Sequence, residues 1–166
     1  MKRIFFTTLL ALTSLNVSAL PSMKTSIDVQ AEISTSVRIY VEGNDVTNGA
    51  ITLKLEEKNG YMTGTTPELL FIGNASSVSV SLTSPATKGL VSENGDQMRI
   101  NTAWIKPGDR DISTSYPVNN LPVYPTLQDA TKDTSIRVRF TSADRSETYP
   151  LGLYSGTYEI MVTPSI

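Results

Sequence analysis

Apolar and polar residues alternate one by one along short runs of this chain, and no stretch sustains the three-to-four-residue recurrence of a helix face. The alternation predicts strands over residues 26–34, 36–42, 50–56, 76–83, 97–105, 134–141 and 155–163, with a further short one near 68–72. Between them Gly43-Asn44-Asp45, Asn59-Gly60, Asn94-Gly95-Asp96 and Lys106-Pro107-Gly108-Asp109 supply the positive or fixed φ that chain reversals demand. Residues 113–133, broken by Pro117, Pro122 and Pro125, read as a long connection with one helical turn around 127–131. Many short strands in one domain predict an all-β fold of sandwich type.

The first residues set the compartment. Lys2 and Arg3 precede an apolar run over residues 4–15, and Val17-Ser18-Ala19 closes it, which is the pattern of a secretory signal peptide. The run is too short for a bilayer and is interrupted by Thr7, Thr8 and Thr13. Cleavage is expected between Ala19 and Leu20, dividing the chain into a signal at 1–19, an N-terminal extension at 20–34 and a sandwich domain at 35–166. The exported chain keeps 12 basic and 16 acidic residues, a net charge of −4, with no basic stretch to neutralise phosphates, so no nucleic-acid partner is expected.

The chain contains no Cys and no His. Disulfide staples, His-based triads, Cys nucleophiles and Cys/His zinc sites are therefore unavailable. Neither a cofactor nor an enzymatic activity is expected. Asp109 and Asp111 follow Pro107-Gly108 and flank Arg110, as a solvated hairpin tip would, and adjacent Glu56 and Glu57 cannot share one cleft. Trp104 shares a strand face with Ile100 and Thr102 and is expected in the core rather than as a sugar platform. Arg137 and Arg139, like Arg38 with Tyr40 and Glu42, read as outward faces of half-exposed strands. Asn74-Ala75-Ser76 has the form of a glycosylation acceptor, a short triplet that carries little weight by itself.

Two segments at opposite ends carry more information. Ile27, Val29, Ala31 and Ile33 alternate strictly with Ser26, Asp28, Gln30, Glu32 and Ser34, giving one apolar and one polar face. A strand near a terminus needs something to capture it, either its own sheet or another chain. Near the other end, Tyr154, Gly156, Tyr158, Ile160 and Val162 share one face and Ser155, Thr157, Glu159, Met161 and Thr163 the other. A sandwich closing on this strand can lack one edge strand, and an open edge invites strand addition.

Residues 152–163, Gly-Leu-Tyr-Ser-Gly-Thr-Tyr-Glu-Ile-Met-Val-Thr, resemble the C-terminal G-x-Y-S-G motif and following strand of the pilins of alpha-clade chaperone-usher fimbriae, the enteric colonisation-factor type. Ile27-x-Val29-x-Ala31-x-Ile33 is similar to that family's donor strand, and Met98-Arg99-Ile100-Asn101-Thr102-Ala103-Trp104 to its central strand. Ser76–Thr83 is similar to an earlier Val-rich strand, so the likeness spans nearly the whole exported chain, and the family also lacks the disulfide of other such pilins. One departure is Ser34-Thr35, which stands where these pilins commonly carry a proline.

The resemblance implies an incomplete immunoglobulin-like sandwich, filled first by a periplasmic pilus chaperone and then, at an outer-membrane usher, by the donor strand of a neighbouring copy. Ile27, Val29, Ala31 and Ile33 would be the donor, and the strand through Tyr154, Gly156, Tyr158, Ile160 and Val162 the edge of the groove that receives it. The product would be a homopolymeric adhesive fimbria on the cell surface, with a tip adhesin as a further candidate partner. The alternative is a minor or tip pilin whose outer face binds a host glycan or protein.

Overall fold

The computed structural model describes residues 25–108 and 110–165. The signal peptide, its cleavage point at Ala19 and Leu20, and Asp109 lie outside the described residues. The chain divides at Ile33 into two units, and all strands among the described residues belong to the second, Ile33–Ile166.

That unit is an immunoglobulin-like β-sandwich. Its strands are β1 (Val37–Val41), β2 (Asn44–Asp45), β3 (Glu56–Lys58), β4 (Tyr61–Thr65), β5 (Leu69–Gly73), β6 (Ser77–Thr83), β7 (Gly89–Ser92), β8 (Gln97–Lys106), β9 (Arg110–Ser113), β10 (Val118–Pro122), β11 (Arg137–Ser142), β12 (Tyr154–Ser155) and β13 (Glu159–Ser165). All ladders between them are antiparallel. One sheet runs β12-β7-β8-β11-β4-β3 with β9 also on β8, a second β10-β6-β13, and a third β2-β1-β5. An antiparallel bridge between Leu69 and Ile136 links β5 to the chain entering β11.

The alternation read in the sequence places the core. Val78 and Val80 on β6, Leu69 and Phe71 on β5, Trp104 on β8, Val138 on β11 and Val118 and Leu121 on β10 all point inward and form one buried cluster. Trp104 sits opposite Val138 on one side and Ile112 on the other. It is fully buried, so it belongs to the core as expected. Asn59 and Gly60, with φ of 55° and 84°, form the two-residue reversal between β3 and β4 that an Asn-Gly pair favours.

Five expectations need correction. Residues 25–36 belong to no strand, so the segment read at 26–34 forms no ladder in this chain. The strand read at 50–56 is present only from Glu56; residues 51–55 keep the burial alternation, with Ile51, Leu53 and Leu55 half-buried and Thr52 and Lys54 exposed, but belong to no ladder among the described residues. The connection read at 113–133 contains β10, whose Pro122 is its final residue on the sheet's edge, where a missing N–H disturbs no inner ladder. The helical turn falls at Lys132–Thr134 rather than at 127–131.

The last correction shapes the site. The strand read at 155–163 is two strands in different sheets: β12 pairs β7, and β13 pairs β6. Residues 156–158 cross between them and belong to neither, which removes Gly156 and Tyr158 from the ladder expected there. The crossing is close. A Cβ on Gly156 would stand 3.0 Å from the Gly89 carbonyl oxygen and 3.0 Å from Leu90 Cδ2, so a residue without a side chain suits the passage.

Candidate functional site: an open groove along β13

β13 pairs with β6 through its whole length, from Glu159 opposite Thr83 to Ser165 opposite Ser77. It is the last strand of its sheet, so every second residue of β13 turns its backbone groups to an edge that no strand covers among the described residues. Other edges are poor templates. β2 and β12 have two residues each, β3 consists of Glu56, Glu57 and Lys58, β9 has four residues including Arg110 and Asp111, β10 carries a register shift and ends in Pro122, and the outer side of β5 is bonded to Tyr124 and Ile136. Short, charged and proline-bearing edges resist strand addition, whereas β13 offers seven residues in unbroken register on β6, with its one proline, Pro164, confined to the far end.

Beside that edge lies a groove of about 1040 Å³. One rim is β13, with Ile160 and Val162 half-buried toward the groove. The other is the unpaired segment 51–55. That segment lies over Gly64 of β4, where an added Cβ would stand 2.8 Å from Leu55 Cδ2 and 3.3 Å from the Lys54 carbonyl oxygen. The floor is made of Leu69, Leu82, Ile100 and Phe140, and Val37 and Ile39 of β1 also line it. Among the described residues that line the groove, Glu159 alone is charged. An apolar trough bordered by unpaired backbone is shaped for an extended peptide with alternating apolar side chains.

Tyr158 closes part of the floor. Its ring meets Phe140 edge to face at 4.9 Å between centroids. Its hydroxyl is buried and, among the described residues, has no hydrogen-bond partner. Burial also pushes its pKa above the ordinary tyrosine value. Raised in the folded chain, this group favours the fold below the unfolded tyrosine pKa of about 10 and loses that contribution as pH climbs through the folded value. Tyr158→Phe is therefore expected to weaken the alkaline loss of stability above about pH 10. Urea unfolding of both chains at pH 8 and in steps above 10 checks this, and parallel curves would refute it.

The remaining sequence candidates fall elsewhere. Tyr154 stands on β12, its hydroxyl donating to the Pro150 carbonyl oxygen at 2.9 Å, and it lines the groove together with Gly156. Arg139 and Arg38 do point outward, but each is held by an acid. Arg139 Nη1 lies 3.0 Å from Asp111 Oδ1, and Arg38 Nη1 2.9 Å from Asp45 Oδ2. Hydrogen bonds from Thr47, then from Arg38, keep the Asp45 carboxyl below the usual range. Asp111 is thus the partner of a cation.

The donor candidates stand in solvent. Ile27 is 84% exposed, Val29 86% and Ile33 86%, and Ala31 is exposed as well. Sequence reasoning missed the second rim at Ile51, Leu53 and Leu55, although its alternation was visible, because the pattern could not say that the strand lacked a neighbour.

No protein-family model matches the chain, and no curated protein matches it. Among solved structures it is similar to a chain from a chaperone–tip adhesin complex of CFA/I fimbriae biogenesis, with a TM-score of 0.51 and 17% identity. The likeness covers 78% of this chain and 42% of that one, so the chain spans about two fifths of the solved chain's length. At this identity the likeness speaks for the fold.

Proposed function

We propose that this chain is an exported fimbrial subunit that polymerises by donor-strand complementation. Residues 20–34 of one copy fill the groove beside β13 of the next. A periplasmic chaperone occupies the groove first, an outer-membrane usher is the place of exchange, and the product is a surface fimbria. The observation that carries this reading is the pairing of opposites within one sequence. A strictly alternating apolar row stands in solvent, while an apolar groove lies beside a seven-residue edge that no strand covers among the described residues. The fold's likeness to a chain of a chaperone–tip adhesin complex supports the same setting.

Physics supplies a sufficient driving force. Burying Ile27, Val29 and Ile33 contributes roughly 1.5–3 kcal/mol each, with Ala31 adding less, and a ladder along β13 comes with them. A slip of one residue would turn the whole row to solvent, so register is specified by the alternation. The reading of a minor or tip pilin with a receptor-binding face has less support, because Arg139 and Arg38, the outward cations that would meet an anionic receptor, are already engaged.

The test compares the exported chain with a version lacking residues 20–34. The full chain is expected to form fibres and the truncated one to form none. A synthetic peptide of residues 20–34 should bind the truncated chain and raise its Tm by at least about 10 °C, as several kcal/mol of added stability would in a domain of this size. Fibres from the truncated chain, or a peptide without effect, would refute the mechanism.

A further inference from the structure

Residues 34–36 join the donor row to β1, and one side chain grips them. Asn74 Oδ1 accepts from the Ser36 N–H at 2.7 Å, and Asn74 Nδ2 donates to the Ser34 carbonyl oxygen at 3.0 Å. The Asn74 backbone N–H donates to the Ser36 carbonyl oxygen at 3.1 Å. In extended backbone the polar groups of residues i and i−2 face the same side, so a single partner reaching Ser36 and Ser34 together marks residues 34–36 as straight. The carboxamide thus continues the β1–β5 ladder past its last pair, Val37 opposite Gly73. Gly73 permits the approach, since a Cβ there would collide with the Ser36 carbonyl oxygen.

The same corner holds one end of the groove. The Ser76 N–H donates to the Ser165 carbonyl oxygen at 3.0 Å, bringing the end of β13 next to Asn74, and Val37 and Pro164 both line the groove. A donor row ending at Ile33 is therefore within reach of its own chain's groove, provided the backbone reverses at 34–36. Such a reversal would need turn dihedrals there and would break both carboxamide bonds.

We propose that Asn74 is a positioning residue that holds 34–36 straight, suppresses filling of the groove by its own chain, and so directs the donor row to a second copy. This rests on the donor-strand reading and adds to it the device that decides between a closed monomer and a polymer. Asn74 thereby supplies by hydrogen bonding a stiffness that a proline would supply covalently.

The experiment refolds the exported chain at high dilution and separates monomer from polymer by size. A protease specific for acidic residues then probes Asp28 and Glu32. In the native chain, monomers are expected to be cut and polymers protected. Asn74→Ala should produce protected monomers at about ten times the native share, the effect of losing two ordinary hydrogen bonds. Ser36→Pro added to Asn74→Ala should reverse this, because a proline keeps the residue before it extended and its missing N–H no longer has a partner to lose. Should Asn74→Ala fail to fold, Asn74→Asp retains the acceptor for Ser36 but not the donor for Ser34, and a smaller rise is expected. An unchanged share of protected monomer in the folded variants, or a rise that the proline does not reverse, would overturn the proposal. Absence of protection in native polymers would instead overturn the donor-strand reading itself.

Discussion

Replacing Val29 with aspartate is expected to abolish fibre growth while leaving the sandwich as stable as before. Val29 is 86% exposed in its own chain, so the substitution removes no packing there and should change folding stability by less than about 0.5 kcal/mol. In a neighbour's groove the consequence is different. The variant forfeits roughly 1.5–3 kcal/mol of apolar burial. It also brings a carboxylate into a trough whose only charged lining residue among the described residues is another carboxylate, Glu159, so the new charge meets no counter-ion among them. An unpaired buried charge costs several kcal/mol more, and the combined loss corresponds to more than about a thousandfold in affinity. Gln30→Asp, on the polar row one residue away, places the same charge in solvent and should be tolerated. Sedimentation of fibres together with thermal unfolding of the subunit checks both variants. Native fibre yield from Val29→Asp would contradict the assignment of the apolar row to the groove.

The second large effect belongs to the core. Trp104 is fully buried between Val138 and Ile112, and Trp104→Ala should cost about 3–5 kcal/mol of stability. Its indole Nε1 is buried with no acceptor among the described residues, a feature that itself costs about 1–3 kcal/mol. Trp104→Phe removes that unmet donor along with some volume and should therefore cost far less, about 1–2 kcal/mol. Urea unfolding followed by far-UV circular dichroism measures both, since the chain has a single Trp and the variants lose its fluorescence. A cost for Trp104→Phe as large as that for Trp104→Ala would contradict this account.

The parts of the fold that sequence made legible are those where alternation and burial coincide. β6 and β8 were readable because Val78, Val80, Met98, Ile100 and Trp104 recur at the strand period and all face the core. β7 was missed because Gly89-Leu90-Val91-Ser92 is too short to show a period and opens on a glycine. β10 was hidden by Pro117 and Pro122, although a proline on an outer strand disturbs little. The segments 26–34 and 51–55 show the converse limit. Alternation reports that a stretch can serve as a strand, while pairing depends on a neighbour, and the sequence of one chain does not contain its neighbours.

The candidate site was legible in the same partial way. The faces of Ile160 and Val162 follow from the period, but the change of sheet at 156–158 does not, because it depends on how closely Gly156 can pass over Gly89 and Leu90. The second rim, the floor around Phe140 and the grip of Asn74 bring together residues far apart in the chain. Asn74 in particular showed itself in the sequence only as part of an Asn-x-Ser triplet, a pattern unrelated to its hydrogen bonds.

The contrast between β13 and the truncated, charged or proline-ended margins of the sheets also bears on the shape of any assembly. A unit with one receptive margin among the described residues and the proposed matching tail would have a valency of two, with unlike ends. Under the proposed mechanism such units would add head to tail into an unbranched filament that has a direction, with one terminus presenting a vacant trough or whatever caps it. The acidic and basic side chains of Glu56, Glu57 and Lys58 along an outer margin would discourage neighbouring filaments from fusing sideways through their backbones.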